Sequence, residues 1–256
     1  MNAERKTNVS RRDVFRVGAA GAMAAAGVAT ITPRTVHAAT PSLTQGATVL
    51  FQGDSITDAG RSRDPQEPNS IKGLGVGYAL MTTTHLLGAY PTLALQCHNR
   101  GISGNKVPDL AARWDQDALN LKPDVLSILI GINDVWHKRN GNYDGTVEGY
   151  ESGFNQLLDK TKAALPETAI VICEPFALRC GVIEEDWLPE IDAHRAAAKR
   201  VAETVGAIWV PFQTAFDDAI TESTPAEFWA RDGVHPTMAG HALMAQTWIE
   251  ATGLSG

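Results

Sequence analysis

Cysteine is scarce in this chain of 256 residues, and the three present are Cys97, Cys173 and Cys180. No two of them have the spacing of a zinc-binding pair, so we expect no metal site. An odd number leaves at least one thiol free or paired with another chain. Cys97 and Cys173 lie in apolar runs, where a free thiol packs as a small apolar group. A disulfide between Cys173 and Cys180 stays open, because sequence spacing does not fix its geometry.

Clusters of lysine and arginine are missing after residue 38. The formal net charge of the chain is −7, and residues 1–38 hold six basic and two acidic residues, so the remainder carries −11. Phosphate backbones and anionic lipid surfaces both bind clustered positive charge. We therefore expect no nucleic-acid partner and no stable membrane anchoring, while self-association into a homo-oligomer stays open.

Long apolar segments are also scarce. A stretch that could serve as an export signal or a membrane anchor lies near the N-terminus. The run Ser10–Arg16 resembles a twin-arginine export signal. A weakly apolar stretch, Val17–Ile31, follows it, and Val36-His37-Ala38 has small residues where signal peptidase cuts. The alternative is an alanine-rich helix or a membrane anchor, but the stretch is short and glycine-rich for a bilayer span. We predict export, to the periplasm or outside the cell, with residues 1–38 as the signal and residues 39–256 as one domain.

Short apolar runs alternate with longer amphipathic stretches through the rest of the chain. This alternation is typical of βαβ units, so the sequence predicts an α/β fold, a three-layer α/β/α sandwich around a parallel sheet of about five strands. The predicted strands are Ala47–Phe51, Leu93–Cys97, Val125–Ile130, Ala169–Cys173 and Ala207–Val210. The predicted helices are Gly77–Leu87, Val107–Leu119, Val147–Leu165, Pro189–Val205, Thr214–Thr221 and a last one from Pro236 to about Ala251.

A serine follows the first predicted strand closely. Ser55 ends a Gly-Asp-Ser run that begins at Gly53, and open α/β sheets bind ligands at the carboxyl ends of their strands. The same run is common in turns, so by itself it does not assign a function. The polar loop Gly60–Gly73 comes next and is expected at the rim of a site. The glycines from Gly73 to Gly77 come too late after the strand for a dinucleotide fingerprint, and we expect no cofactor.

Near the C-terminus, Asp232 and His235 share one short segment. Ester hydrolysis needs a nucleophile, a base, a group that orients the base, and donors for the oxyanion. A single loop can aim the Asp232 carboxylate at Nδ1–H of His235, which leaves Nε2 free to accept the proton of Ser55. The alternative is a turn that caps the next helix. We predict that Ser55, Asp232 and His235 form a catalytic triad, and that other histidines such as His241 are structural.

Four motifs, taken in order, resemble those of the SGNH (GDSL-type) serine hydrolases. They are Gly53–Asp58, Asn99–Gly104, Gly131–Asp134 and Asp232–His235. The resemblance implies a flavodoxin-like sheet with strand order 2-1-3-4-5. It also implies that the backbone N–H groups of Ser55 and Gly104 and the side-chain amide of Asn133 donate hydrogen bonds to the oxyanion.

Within that family the closer resemblance is to the GDSL-type acetylxylan esterases. The stretches that carry it are Gly53–Arg61, Gly101–Asn105, Ala112–Asp115, Ile130–Trp136 and Asp232–His241. The resemblance implies a serine esterase that removes acetyl groups from xylan or xylo-oligosaccharides through an acyl-enzyme. The alternatives are a lysophospholipase or thioesterase of the same family, and a carbohydrate-binding protein on an inactive hydrolase scaffold.

The loops expected around the serine are rich in charges and aromatic rings. They include Trp136, Tyr143 and Trp187, and aromatic rings suit the C–H face of a sugar. We name Asp54, Trp136 and Trp187 as candidates for substrate contact, and we expect Asp54 and Asp134 to hold the loops by hydrogen bonds. No aliphatic run in these loops is long enough to line a channel for a long acyl chain, so we predict a preference for acetyl esters.

Overall fold

The computed structural model describes residues 40–64 and 67–256 of the chain. Within this part, five parallel strands form one sheet: β1 (Thr48–Gly53), β2 (Gln96–Asn99), β3 (Val125–Leu129), β4 (Ala169–Cys173) and β5 (Ile208–Val210). Their order across the sheet is β2-β1-β3-β4-β5, the flavodoxin-like order that the family resemblance implies. Gly53 at the end of β1 lies beside Leu129 at the end of β3. The chain therefore leaves both central strands at the same edge of the sheet.

Helices connect the strands on both faces of the sheet. They are α1 (Ser55–Asp58), α2 (Ile71–Leu74), α3 (Tyr78–Ala89), α4 (Val107–Asp117), α5 (Ile132–Arg139), α6 (Val147–Ala164), α7 (Leu188–Val205), α8 (Phe212–Ala219), α9 (Ala226–Trp229) and α10 (Met238–Thr252). Strand side chains alternate between the two faces. On β1, Phe51 packs in the core with α3, α8 and α10, whereas Leu50 packs in the core with α4, α6 and α7. This is the predicted α/β/α sandwich.

The last helix is fixed to the centre of the sheet by a buried tryptophan. Trp248 on α10 is fully buried, and its indole N–H donates to the hydroxyl of Ser127 on β3 at 2.9 Å. Its ring also lies 5.6 Å from the ring of Phe51 on β1, centroid to centroid. A buried indole needs a partner for its N–H, and Ser127 supplies one. Helix α10 is thereby held against the two central strands of the sheet.

One predicted strand is displaced from its observed position. The apolar run Leu93–Cys97 is predicted as a strand, yet its pairing with β1 begins only at Gln96, opposite Thr48. Ala94 has a φ of +49°, which interrupts the extended backbone, so the first part of the run is a turn that packs against the core. The other four predicted strands overlap the observed ones to within two residues at each end.

Two helices lie where the sequence predicts loops. Helix α5 begins directly after Gly131, and α2 lies within the region expected as a polar rim. In that same region Arg61 is buried, and its Nε donates to the carbonyl of Gly101 at 2.8 Å. Arg61 in this region therefore supports the neighbouring loop at Gly101.

The predicted export signal, residues 1–38, lies outside the described residues. Among the residues described, no helix combines the length and the apolar character needed to cross a bilayer.

Candidate active site

Ser55 lies at the carboxyl end of β1, where a tight turn leads into the short helix α1. Gly53 precedes the turn with a φ of +157°, and a Cβ at that position would lie 2.4 Å from the carbonyl oxygen of Leu129. Only glycine allows this approach of β1 to β3. Asp54 follows and caps α1, because its Oδ1 accepts the N–H of Ile56 at 3.0 Å. The serine hydroxyl is thus presented at the sheet edge.

His235 and Asp232 come from one tight loop that precedes α10. The Asp232 Oδ1 atom accepts the backbone N–H of Val234 at 3.0 Å and that of His235 at 2.7 Å. Gly233 between them has a φ of +85° and lies against the carbonyls of Leu178 and Cys180, where a Cβ would approach to 2.6 and 2.5 Å. Asp232 Oδ1 therefore stabilises the loop, and Oδ2 is left to accept a hydrogen bond from another group.

The structure brings Ser55, His235 and Asp232 together in one hydrogen-bonded row. Ser55 Oγ lies 2.8 Å from His235 Nε2, and His235 Nδ1 lies 2.7 Å from Asp232 Oδ2. Partial burial raises the pKa of the Asp232 carboxyl, but hydrogen bonds from the ring and backbone N–H groups outweigh it, and the pKa lies below its ordinary value. An ionised Asp232 holds the imidazole with its proton on Nδ1, so that Nε2 faces the serine hydroxyl as an acceptor.

Asn133 lies in the first turn of α5, just past the end of β3, and not in the loop that the sequence suggested. Its side chain is almost fully buried, and Nδ2 donates to the carbonyl of Asn105 at 3.2 Å. A side-chain amide has two N–H bonds, so this contact orients the group and leaves the second N–H for another acceptor. Gly104, the residue before Asn105, is half-buried in the adjacent loop.

Asp58 holds the loop that contains Gly104, a role that the sequence analysis did not assign. Its Oδ2 accepts the backbone N–H of Ser103 at 3.0 Å and the Ser103 hydroxyl at 3.2 Å, and it pairs with Arg63 at 2.9 Å. Asp58 is buried and lies three residues after Ser55, on the same short helix. Asp58 is the last residue of the first motif, Gly53–Asp58, and this position was the sequence feature that could have indicated its role.

Two buried carboxyls flank the candidate catalytic residues. Asp54 is completely buried, so the structure places it beneath the site, where it caps α1, and not on a surface that a substrate could reach. Burial raises the pKa of Asp54 to about 7. Burial also raises the pKa of Asp134 to about 8, although the positive charge of Lys106 opposes it.

An aromatic surface lies beside the imidazole. The ring of Trp136 on α5 lies 6.2 Å from the ring of His235, and 5.7 Å from the ring of Trp187 in an edge-to-face arrangement. The guanidinium of Arg139 lies 5.7 Å from the centre of the Trp187 ring. Both indoles are half-buried, so part of each ring faces solvent. In a separate contact, Nζ of Lys106 lies 5.3 Å from the centre of the Tyr143 ring.

The space next to His235 is wide and shallow. A surface cavity of about 430 Å³ is lined there by Arg231, Asp232, His235, Pro236, Thr237 and Met238. Its accessible lining is more apolar than polar, with Pro236 and Met238 beside the charged and polar groups. Ser55, Gly104 and Asn133 are not among its lining residues, so this cavity borders the imidazole and the carboxylate and not the serine.

The remaining cysteines and histidines lie away from these contacts or support them. Cys97, Cys173 and Cys180 are free thiols, so the open pairing of Cys173 with Cys180 does not form in this structure. His241 is largely buried, its Nδ1 accepts the N–H of Tyr78 at 3.2 Å, and burial lowers its pKa to about 4. In residues 40–64 and 67–256 no group of three metal-binding side chains is close enough to hold an ion.

Known proteins are similar to this chain in sequence and in fold. The model of the GDSL-like lipase/acylhydrolase family matches residues 51–243. An acetylxylan esterase from Geobacillus stearothermophilus is 36% identical over 212 residues, which cover 81% of this chain and 94% of that protein. A crystal structure of an acetylxylan esterase from that organism has a TM-score of 0.74 at 34% identity, with 82% of this chain and 96% of the other covered.

A second solved structure, from Parabacteroides merdae and named for a GDSL-like lipase, has a TM-score of 0.81 at 49% identity. It covers 84% of this chain, and 99% of its own length is matched. The family match spans most of the described residues, and the relatives share the sheet as well as the sequence. The chain belongs to the GDSL-like lipase/acylhydrolase family and is a carboxylic ester hydrolase.

Proposed function

We propose that this esterase removes acetyl groups from xylan or xylo-oligosaccharides with Ser55, His235 and Asp232 as its catalytic triad. The observation that carries the proposal is the row of hydrogen bonds, 2.8 Å from Ser55 Oγ to His235 Nε2 and 2.7 Å from His235 Nδ1 to Asp232 Oδ2. A nucleophile, a base and an orienting carboxylate at these distances are the parts that acyl transfer needs.

The reaction follows from these positions. His235 Nε2 takes the proton of Ser55 as Oγ bonds to the ester carbonyl carbon, and the carbonyl oxygen becomes an oxyanion. The backbone N–H groups of Ser55 and Gly104 and the Asn133 amide donate to that oxygen. The tetrahedral intermediate expels the sugar hydroxyl, which takes its proton from His235. Water, deprotonated by the same imidazole, then attacks the carbonyl carbon of the acetyl-enzyme; the bond to Oγ breaks, acetate leaves, and Ser55 Oγ takes the proton from His235.

The surroundings of the triad support a sugar as the alcohol part of the ester. The half-buried ring of Trp136 lies 6.2 Å from that of His235, Trp187 packs against Trp136, and the guanidinium of Arg139 lies by the Trp187 ring. A sugar presents C–H bonds on its face and hydroxyls at its edge, which match rings beside polar groups. An acetylxylan esterase is among the relatives at 36% identity. We therefore place Trp136 and Trp187 in the sugar-binding surface.

A panel of esters tests the proposal. p-Nitrophenyl esters from acetyl to octanoyl, with acetylated xylan and acetylated xylo-oligosaccharides, should show kcat/KM falling steeply beyond acetyl and acetate released from the glycans. Ser55→Ala should remove turnover, and a fluorophosphonate should label the wild type at Ser55. Faster cleavage of octanoyl esters, with no acetate from glycans, would favour a lysophospholipase or thioesterase.

Trp136→Ala separates the sugar site from the triad. The variant should raise KM for acetylated xylo-oligosaccharide about fivefold, as expected for losing on the order of 1 kcal/mol of ring contact, and should leave p-nitrophenyl acetate hydrolysis nearly unchanged. Trp209→Ala is the matched control, because Trp209 is a half-buried indole on the edge strand β5. Equal losses on both substrates would argue against a sugar site at Trp136.

We also infer that the enzyme acts outside the cytoplasm. The support is the Ser-Arg-Arg-Asp-Val-Phe-Arg run from Ser10 to Arg16, followed by a weakly apolar stretch and a cleavage site before Ala39. A polymeric substrate such as xylan cannot enter a cell intact, so an exported esterase meets it directly.

A further inference from the structure

Arg113 makes hydrogen bonds to several segments that carry the candidate oxyanion donors. It lies on α4, within the Ala-Arg-Trp-Asp run at residues 112–115, and only 14% of its side chain is exposed. Its Nε donates to Asn105 Oδ1 at 2.8 Å, its Nη1 to the carbonyl of Arg100 at 2.8 Å, and its Nη2 to the carbonyl of Gly53 at 3.3 Å. One guanidinium thus binds the ends of two strands and the loop between them and α4.

Two of these acceptors, Gly53 and Asn105, lie within two residues of a group proposed to donate to the oxyanion. Gly53 is two residues before Ser55, and Asn105 directly follows Gly104. The carbonyl of the same Asn105 accepts the Asn133 amide at 3.2 Å. The three donors come from three separate segments of the chain. Arg113 and Asn105 contact all three segments, in addition to the hydrogen bonds from Ser103 to Asp58 and from the Ile102 N–H to the Gly53 carbonyl, which join the first two.

The guanidinium itself is held in place. Asp117, one turn along α4, accepts from Arg113 Nη1 at 3.0 Å, and its own backbone carbonyl accepts the side-chain amide of Gln52 on β1 at 2.7 Å. Arginine suits this position because its rigid planar group donates in several fixed directions at once. A lysine keeps the charge but has a single nitrogen, which cannot reach acceptors spread around a plane.

We propose that Arg113 is a positioning residue that sets the spacing of the oxyanion donors Ser55 N–H, Gly104 N–H and Asn133 Nδ2. The inference rests on the proposed function, since it acts through those donors. An oxyanion site works when its donors already point to where charge develops, so a small shift of the Gly101–Asn105 loop weakens transition-state binding more than substrate binding.

Arg113→Lys is the first test, with p-nitrophenyl acetate as substrate. We expect kcat to fall about tenfold with KM within about twofold of the wild type, the pattern of an interaction made in the transition state. The affinity for phenylboronic acid, whose adduct with serine places an oxygen among the donors, should fall by a similar factor. Arg200→Lys is the matched control, because Arg200 makes paired hydrogen bonds to Glu151 on the outer surface of α6 and α7. It should leave kcat unchanged.

A double-mutant cycle with Asn133→Ala separates positioning from general support of the fold. If Arg113 acts by placing Asn133 and its fellow donors, Arg113→Lys in the Asn133→Ala background should lower kcat less than about threefold further. Full multiplication of the two losses would overturn the inference, as would a kcat for Arg113→Lys above half that of the wild type, or a loss confined to KM.

Asn105→Ala is the second variant, in case Arg113→Lys does not fold. It removes the acceptor of Arg113 Nε but keeps the carbonyl that Asn133 binds, and we expect kcat to fall at least about threefold. An unchanged kcat would overturn the inference. Ser55→Ala keeps the two proposals distinct: full turnover in that variant would refute the proposed triad, whereas an inactive Ser55→Ala together with a fully active Arg113→Lys would refute only the role of Arg113.

Discussion

Replacing Asp232 with asparagine removes a negative charge while keeping an oxygen where the loop needs one. Oδ1 can still accept the N–H groups of Val234 and His235, which it binds at 3.0 and 2.7 Å. The second position becomes an NH₂ group, which donates to His235 Nδ1 and forces the ring proton onto Nε2. The base then presents a proton, not a lone pair, to Ser55. We expect kcat to fall by about 10⁴, a rise of about 5.4 kcal/mol in the activation free energy.

Asp232→Ala gives the contrasting variant. This variant should lose about as much turnover as Asp232→Asn, because no carboxylate keeps the ring proton of His235 on Nδ1. It also removes the oxygen that accepts the backbone N–H groups of Val234 and His235. We therefore expect a loss of about 1–2 kcal/mol in the free energy of unfolding that the asparagine variant does not show. Urea unfolding measures this difference, and initial rates on p-nitrophenyl acetate measure turnover. Comparing the two variants separates the carboxylate's effect on the proton from its effect on the loop.

One chemical artefact must be controlled in this experiment. The substitution Asp232→Asn puts an asparagine directly before Gly233, and an asparagine followed by glycine deamidates readily, which restores the carboxylate. Mass spectrometry of fresh and aged protein therefore accompanies each rate. If freshly prepared Asp232→Asn, free of deamidated protein, keeps more than a tenth of the wild-type kcat, Asp232 does not orient the base and the proposed triad is refuted.

Two further predictions concern pH and export. Burial raises the pKa of Asp134 to about 8 from an ordinary value of 3.8, so this group's contribution to stability is full below about pH 4 and is lost as the pH rises to about 8. Asp134→Asn should therefore gain stability relative to the wild type between about pH 5 and 8, on the order of 1 kcal/mol per pH unit in urea unfolding, and a constant difference would contradict this. Replacing Arg11 and Arg12 by lysines should block export, and N-terminal sequencing of the mature protein should begin near Ala39; unaffected processing would exclude the twin-arginine route.

Much of the fold could be predicted because the apolar patterns of the sequence agree with which side chains are buried. The runs that became β1, β3 and β4 are buried on both faces, so they are apolar throughout and easily recognised. β2 is an edge strand that pairs on one side only, and it includes the exposed Gln96. Its composition is therefore less apolar than that of the run Leu93–Cys97, which overlaps it and misled the prediction. The positive φ of Ala94 has no signature in the sequence.

The site was predictable in part for a similar reason. Asp232 and His235 are three residues apart, so the sequence alone indicates that one loop can bring their side chains into contact. The helix that carries Asn133 was not predicted, because α5 has only eight residues and its buried positions, such as Ile132 and Val135, give too short a pattern. The contacts of Arg113 link residues up to 60 positions apart, and no local pattern indicates such pairs.

The shared loop of Asp232 and His235 has a consequence for how the site can change. Because both side chains belong to four consecutive residues, and Asp232 binds the backbone of that same stretch, their mutual geometry moves as a rigid piece. Ser55 belongs to a different element, 180 residues away in sequence. In the proposed mechanism, a displacement of this loop changes the distance between His235 Nε2 and Ser55 Oγ, now 2.8 Å, and leaves the contact between His235 Nδ1 and Asp232 Oδ2 in place.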